Sequence, residues 1–166
     1  MEKAEFWIET LKLIPHPEGG YYRETYRSEG SYSFSDATPF NGPRSYATAI
    51  YYLLRARDRS RLHQIHSDEL WFFHAGNPLT VHFFPQEGEP ASFTLGLEPG
   101  KGQVMQGVAP RESWFGACCE NPGEESYALV SCVVAPGFDF HDFAFADRKM
   151  LQKKFPLHAD LIERLT

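Results

Sequence analysis

The chain has 166 residues, 42 % of them hydrophobic and 15 % aromatic, and a formal net charge of -6. That length makes one domain, large enough to bury a sizeable core. The acidic balance lacks the sustained basic face of a nucleic-acid binder, and no window approaches the ~18 uninterrupted apolar residues of a membrane span.

The N-terminal MEKAEFWIETLKL carries acids through its apolar pattern and has no signal-peptide core. Cys118, Cys119 and Cys132 are odd in number and form no CxxC pair, so buried thiols are expected rather than a disulfide framework or a zinc knuckle. A reducing cytoplasm is the expected compartment. Ala4, Trp7, Ile8 and Leu11 recur at helical spacing within residues 3–13, and Pro15-His16-Pro17 stops the helix because proline cannot continue the ladder. Glu18-Gly19-Gly20 then turns the chain into a strand at 21–28, with Arg23, Thr25 and Arg27 on one face and Tyr22, Glu24 and Tyr26 on the other. Residues 29–44, rich in Ser, Gly, Pro and Asn, read as a loop.

Strand patterns follow at 46–54, 61–65, 69–75, 79–84, 91–97, 103–109, 113–119, 126–135 and 142–146, separated by turns such as GNP and EPGKG. Short strands at this spacing, with no helices between them, argue an antiparallel sandwich or barrel. Met150, Leu151, Phe155, Leu157, Leu161, Ile162 and Leu165 give a helical period to residues 148–166, which Pro156 divides in two. The expected architecture is a single all-β domain over 1–166: a barrel of about 21–147, an N-terminal helix, and a helical tail at 148–166.

Residues able to ligate a metal or move a proton concentrate between Ser60 and Leu79: His63, His66, Glu69 and His74. If Glu69 points into the barrel, alternation sends Trp71 and Phe73 in with it, and Leu70, Phe72 and His74 out. His63 and Ile65 share a face of the preceding strand, so His63 with Glu69 is the pair expected to converge. A carboxylate within the run Leu70 to Phe73 is costly unless paired or poised for chemistry. Such a pair could ligate a divalent metal, or act as a base and its neighbour. Trp71, Phe73, Trp114 and Phe115 are candidate wall of the binding pocket, or core. Arg23 is a candidate grip on an anionic ligand group, or a solvated arginine. Tyr22, Tyr26, Tyr51 and Tyr127 are candidate acids. His66 and Asp68 are expected at the turn, His16 and His141 at the surface, and Asp139 and Asp142 in an Asx turn or orienting a pocket histidine.

His63, Glu69 and Gly76 resemble the first cupin motif, H-x-H, three or four residues, E, six residues, G, with Ile65 in place of the second histidine. In the second motif's stretch Pro110 is present, but Glu112 stands at the glycine and Phe115 at the histidine. PHPEGGYYRETYRS, TAIYYLL, HSDELWFFHAGNPL, SWFGA and CVVAPGFDFHDFAFAD, in that order, resemble the "cupin 5" subfamily, a domain of unknown function. The resemblance implies a double-stranded β-helix jelly roll, a homodimer, and similarity to metal-free dTDP-sugar 3,5-epimerases that use a His and an acid in proton transfer.

Three functional readings follow. The first is a metal-free, cofactor-free cupin that epimerises or isomerises a sugar-like or nucleotide-sugar ligand, with His63 and Glu69 catalytic and Arg23, Trp71, Phe73, Trp114 and Phe115 binding. The second is a ligand-binding or sensing module without chemistry. The third is a divalent-metal cupin recruiting His66 or His74.

Overall fold

The computed structural model describes residues 3–35, 38–119 and 123–166. In chain order these form α1 (Ala4–Thr10), β1 (Ile14–Pro15), β2 (Tyr21–Arg27), β3 (Ser31–Tyr32), β4 (Arg44–Ser45), β5 (Thr48–Arg55), β6 (Arg59–Gln64), β7 (Asp68–Gly76), β8 (Leu79–Phe84) and β9 (Ala91–Leu95). After these come β10 (Gln103–Val104), β11 (Gln106–Ala109), β12 (Trp114–Cys119), β13 (Tyr127–Ala135), β14 (Ala144–Phe145), α2 (Arg148–Lys154) and α3 (Ala159–Leu165). One sheet runs β1-β2-β5-β13-β7-β11 and the other β10-β9-β8-β12-β6-β14, with the ribbon β3-β4 apart. The expected all-β jelly roll is the observed one.

The strand patterns appear with small shifts, and three differences have local causes. The 103–109 pattern is two strands: β10 pairs with β9 in one sheet, β11 with β7 in the other, and Met105 is the crossing point. The 29–44 loop contains β3 and reaches β4, which pair with each other. The 142–146 pattern shortens to β14 because Asp139 accepts a hydrogen bond from the His141 backbone N–H and starts a helical turn at Phe140–Asp142.

The sheets face each other across a core of Tyr52, Leu54, Ile65, Trp71, Phe73, Leu79, Val81, Leu95, Phe115 and Val130. β-branched and aromatic side chains at alternate positions put one face of each strand inside. Helix α1 and its C-cap Leu11 lay Ala4, Trp7, Ile8 and Leu11 on Leu53, Tyr127 and Leu129, covering part of the first sheet's outer face. Leu151, Ile162 and Leu165 of the tail cover Leu62 and Phe84 on the outer face of the second sheet. Among the described residues no helix is long and apolar enough to cross a membrane.

Candidate functional site

A cavity of about 540 Å³ opens at one end of the barrel. Its wall includes Tyr22, Glu24 and Arg27 of β2, Thr48 and Ile50 of β5, His63 of β6, Glu69 of β7, and Cys132 and Val134 of β13. The turn residues His16 and Glu18 close one side, and the loop Phe138 to His141 forms the rim.

Glu18 reaches the interior because of the glycines that follow it. Gly19 has φ +117°, and a Cβ on it would lie 2.1 Å from the Arg59 carbonyl oxygen, so only glycine lets the turn press against β6. The His16 N–H donates to Gly20 O and the Gly19 N–H to His16 O, each at 3.0 Å, while the Arg61 N–H donates to Glu18 O at 3.0 Å. Tyr52, from the core, fastens the same turn by donating its hydroxyl to Gly19 O at 2.8 Å.

The Glu18 carboxylate, 6 % exposed, accepts from the Ser60 hydroxyl at 2.8 Å and meets His63 Nε2 at 3.2 Å. Ser60 and His63 are three apart and would face opposite ways on a regular strand. Pairing of β12 with β6 sets Phe115 opposite His63 and Ala117 opposite Ser60, so three β6 residues span two of β12. That bulge turns both side chains inward. His63 donates from Nδ1 to Arg61 O at 2.7 Å, which leaves Nε2 facing the Glu18 carboxylate.

Glu69 is 7 % exposed, inside β7 opposite Val134. Burial first, then the charge of Glu18, pushes its carboxyl up to about 8, and hydrogen bonding from the Cys132 thiol opposes part of this. Glu69 is therefore mainly protonated at neutral pH and can donate a proton or a hydrogen bond. Burial and the nearby Glu69 push the Cys132 thiol well up, so it stays a thiol. Burial likewise lowers His16, which accepts the Glu18 N–H on Nδ1 at 3.2 Å.

A second bulge shapes the mouth. In β2, Glu24 lies opposite Ile50 and Tyr26 opposite Ala49, with Thr25 extra. The alternation shifts there, so Arg27 joins Tyr22 and Glu24 on the cavity side, against the sequence expectation that placed it with Arg23. Its guanidinium takes the Glu24 carboxylate at 3.0 and 2.7 Å and the Phe138 carbonyl at 3.1 Å from both terminal nitrogens.

The structure brings His63 and Glu69 to one cavity, but the acid against His63 is Glu18, which the sequence reading passed over. His16, expected at the surface, has a side chain only 7 % exposed. The proposed binding residues lie elsewhere. Arg23 is on the face of β2 away from the cavity, as alternation from Tyr22 and Glu24 requires. Trp71 and Phe115 are fully buried and Phe73 nearly so, all three in the core. Trp114 packs under the tail beside Leu62 and Phe84. Of the candidate tyrosines, Tyr22 alone lines the cavity. Asp142 pairs with buried Arg44 at 2.6 and 2.7 Å instead of orienting a histidine.

A metal does not fit. Among the described residues no three His, Cys, Asp or Glu side chains are arranged to hold one. Ile65 and Phe115 put hydrocarbon at two of the four motif positions. His66 turns to the Glu112 carboxylate at 2.8 Å, and His74, displaced by a bulge in β7, meets the Ser131 hydroxyl at 2.8 Å on the outer face. Glu112, at the motif's glycine position, has φ 60°, the left-handed conformation that favours glycine.

Solved structures with this fold include a hypothetical protein from Leishmania major, 33 % identical, covering 99 % of each chain with a TM-score of 0.89. Protein SO0799 from Shewanella oneidensis is 35 % identical, covers 100 % of this chain and 98 % of its own, and has a TM-score of 0.86. Oxalate decarboxylase from Lactobacillus farciminis, 14 % identical with a TM-score of 0.54 over 95 % of this chain and 42 % of its own, shares the fold alone. Among curated proteins, uncharacterized protein YML079W of Saccharomyces cerevisiae is 35 % identical over 149 residues, 83 % of this chain and 72 % of that protein. Residues 5–146 match Cupin_5, described as Cupin superfamily (DUF985), and the chain belongs to that family.

Proposed function

We propose that the protein binds a small sugar-like molecule in the barrel and moves protons on it, as an epimerase or isomerase. The reading is carried by one observation: a protonated carboxyl, Glu69, lines the same cavity as the His63–Glu18 pair. Two titratable groups set apart by their surroundings supply an acid and a base. The Glu18–His63 pair, braced by Arg61 O, takes a proton from the carbon beside a carbonyl onto a free lone pair of the Glu18 carboxylate, and Glu69 gives its proton to the carbonyl oxygen, leaving an enediol. Delivery of a proton to the former carbonyl carbon, with Glu69 taking the hydroxyl proton from the oxygen that becomes the new carbonyl, completes isomerisation; delivery to the original carbon from its opposite face, with Glu69 retaking its own proton, completes epimerisation, and neither changes the atoms.

Incubation of aldoses and ketoses in D2O tests the proposal. The protein should exchange carbon-bound hydrogen for deuterium, read by NMR, and His63→Gln and Glu69→Gln should each slow exchange at least about a hundredfold, the lower range for a lost general acid or base. Undiminished exchange in both variants would overturn it. A sensing module without chemistry is the second reading, favoured by the pairing of both Glu18 oxygens within the protein. It predicts ligand-dependent thermal stabilisation with the ligand recovered undeuterated. The proposal includes a homodimer, supported by apolar side chains such as half-buried Phe72 and exposed Val108 on the first sheet's outer face, and a cytoplasmic location, supported by Cys118, Cys119 and Cys132 standing as thiols rather than disulfides; sedimentation velocity reads the oligomeric state.

A further inference from the structure

Every charged side chain on the cavity wall already faces a partner of its own. Arg27 is clasped by both oxygens of Glu24 and by Phe138 O, with Ser45 Oγ at 3.4 Å. Glu18 holds Ser60 and His63. Asp139 accepts from the backbone N–H of His141 at 2.9 Å and faces its ring Nδ1 at 2.5 Å. What remains toward the cavity is uncharged: the carboxyl of Glu69, the ring of His16, the hydroxyl of Tyr22, the Cys132 thiol, and the hydrogen of the Thr48 hydroxyl, whose oxygen accepts from Phe138 N at 3.0 Å. A charged ligand would have to part the half-exposed Arg27 from Glu24 and leave one of their charges unpaired beside it, break the buried Glu18–His63 contact, or lie unpaired in a pocket walled by Ile50, Val134, Phe138 and Phe140, and the last two are costly.

Building on the proposed function, we infer that the ligand is an uncharged polyhydroxylated carbonyl compound, such as a free aldose or ketose, and that phosphorylated, nucleotide-linked, acidic and amino sugars are excluded. The Glu24–Arg27 pair is the specificity element. It keeps the cation among these lining residues occupied, and it fixes the rim through Phe138.

Titration calorimetry with D-glucose, D-galactose, D-mannose and D-fructose, against D-glucuronate, D-glucosamine and D-glucose 6-phosphate, tests this. At least one neutral sugar should bind, and its charged congeners at least about tenfold more weakly, a difference of about 1.4 kcal/mol. A charged congener binding as tightly as the neutral one, or no neutral sugar binding, would sink the inference. Glu24→Gln releases Arg27 and should improve glucuronate and 6-phosphate at least about tenfold relative to the neutral sugar; an unchanged ratio also overturns it. The two proposals fail separately. Neutral sugars that bind without deuterium exchange remove the acid–base reading and leave this one, whereas exchange on a charged sugar alone does the reverse.

Discussion

Within five residues of β7 the inward side chains pass from one kind of interior to another. Glu69 faces a cavity lined by His63, Glu18 and Cys132, whereas Trp71 and Phe73 meet Tyr52, Leu79, Val81 and Leu95 in close-packed hydrocarbon. Strand pairing is the same throughout; what differs is what the neighbouring elements send inward. At the packed end regular alternation supplies aliphatic and aromatic side chains. At the open end the Glu18 turn and the bulges in β2 and β6 aim polar groups at one space. The packed end holds the fold, and so lets the open end keep a carboxyl whose burial opposes folding whenever it is charged.

This contrast can be broken first at Trp71. Trp71→Ala should cost about 3–5 kcal/mol in urea unfolding, the range for a large core truncation. A loss below about 1 kcal/mol would mean that the packed end is not what holds the barrel. The next effect runs the other way. The Glu69 carboxyl is raised in the folded state, so the fold binds the extra proton, and stability from this group is complete below the ordinary carboxylate range and lost as pH rises through about 8. Glu69→Gln should flatten that fall, with the variant more stable than the parent at pH 9 and the gap closing toward pH 4.5; parallel stability–pH curves would refute it. Gly116→Ala should be smaller. A Cβ there would lie 2.5 Å from Ser60 O, so about 1–3 kcal/mol is expected, and the amide signals of Ser60 to His63 should move in NMR spectra. The smallest is Glu112→Gly. Relief of the left-handed backbone, worth about 1 kcal/mol, is offset by loss of the His66 contact, and the melting temperature should change by only a few degrees.

These variants also mark where the sequence was readable. Regular alternation made β7 legible, because Glu69, Trp71 and Phe73 keep period two and the structure places all three inside. The helix at Ala4–Thr10 and the tail broken at Pro156 were legible for the same reason, a uniform apolar period. The partner of His63 was not. Glu18 sits in a Pro-Gly turn 45 positions upstream, and nothing in its neighbourhood reports that Gly19 lets that turn press onto Arg59. Arg27 was misread and Ser60 missed because Arg27 faces the cavity, and Ser60 reaches Glu18, only through a bulge, and a bulge depends on pairing between strands far apart in the chain. Aromatic content gave no way to tell wall from core, and Trp71, Phe73 and Phe115 are core.

Leu62 and His63 are adjacent on β6 and look in opposite directions, one under Leu151, Ile162 and Leu165, the other into the cavity. The C-terminal helices thus act as a strut behind the strand that carries His63. Cleavage ahead of α2 would leave β6 unsupported from behind, so the shape of the cavity on one side of the sheet answers to the integrity of a segment on the other that does not line it.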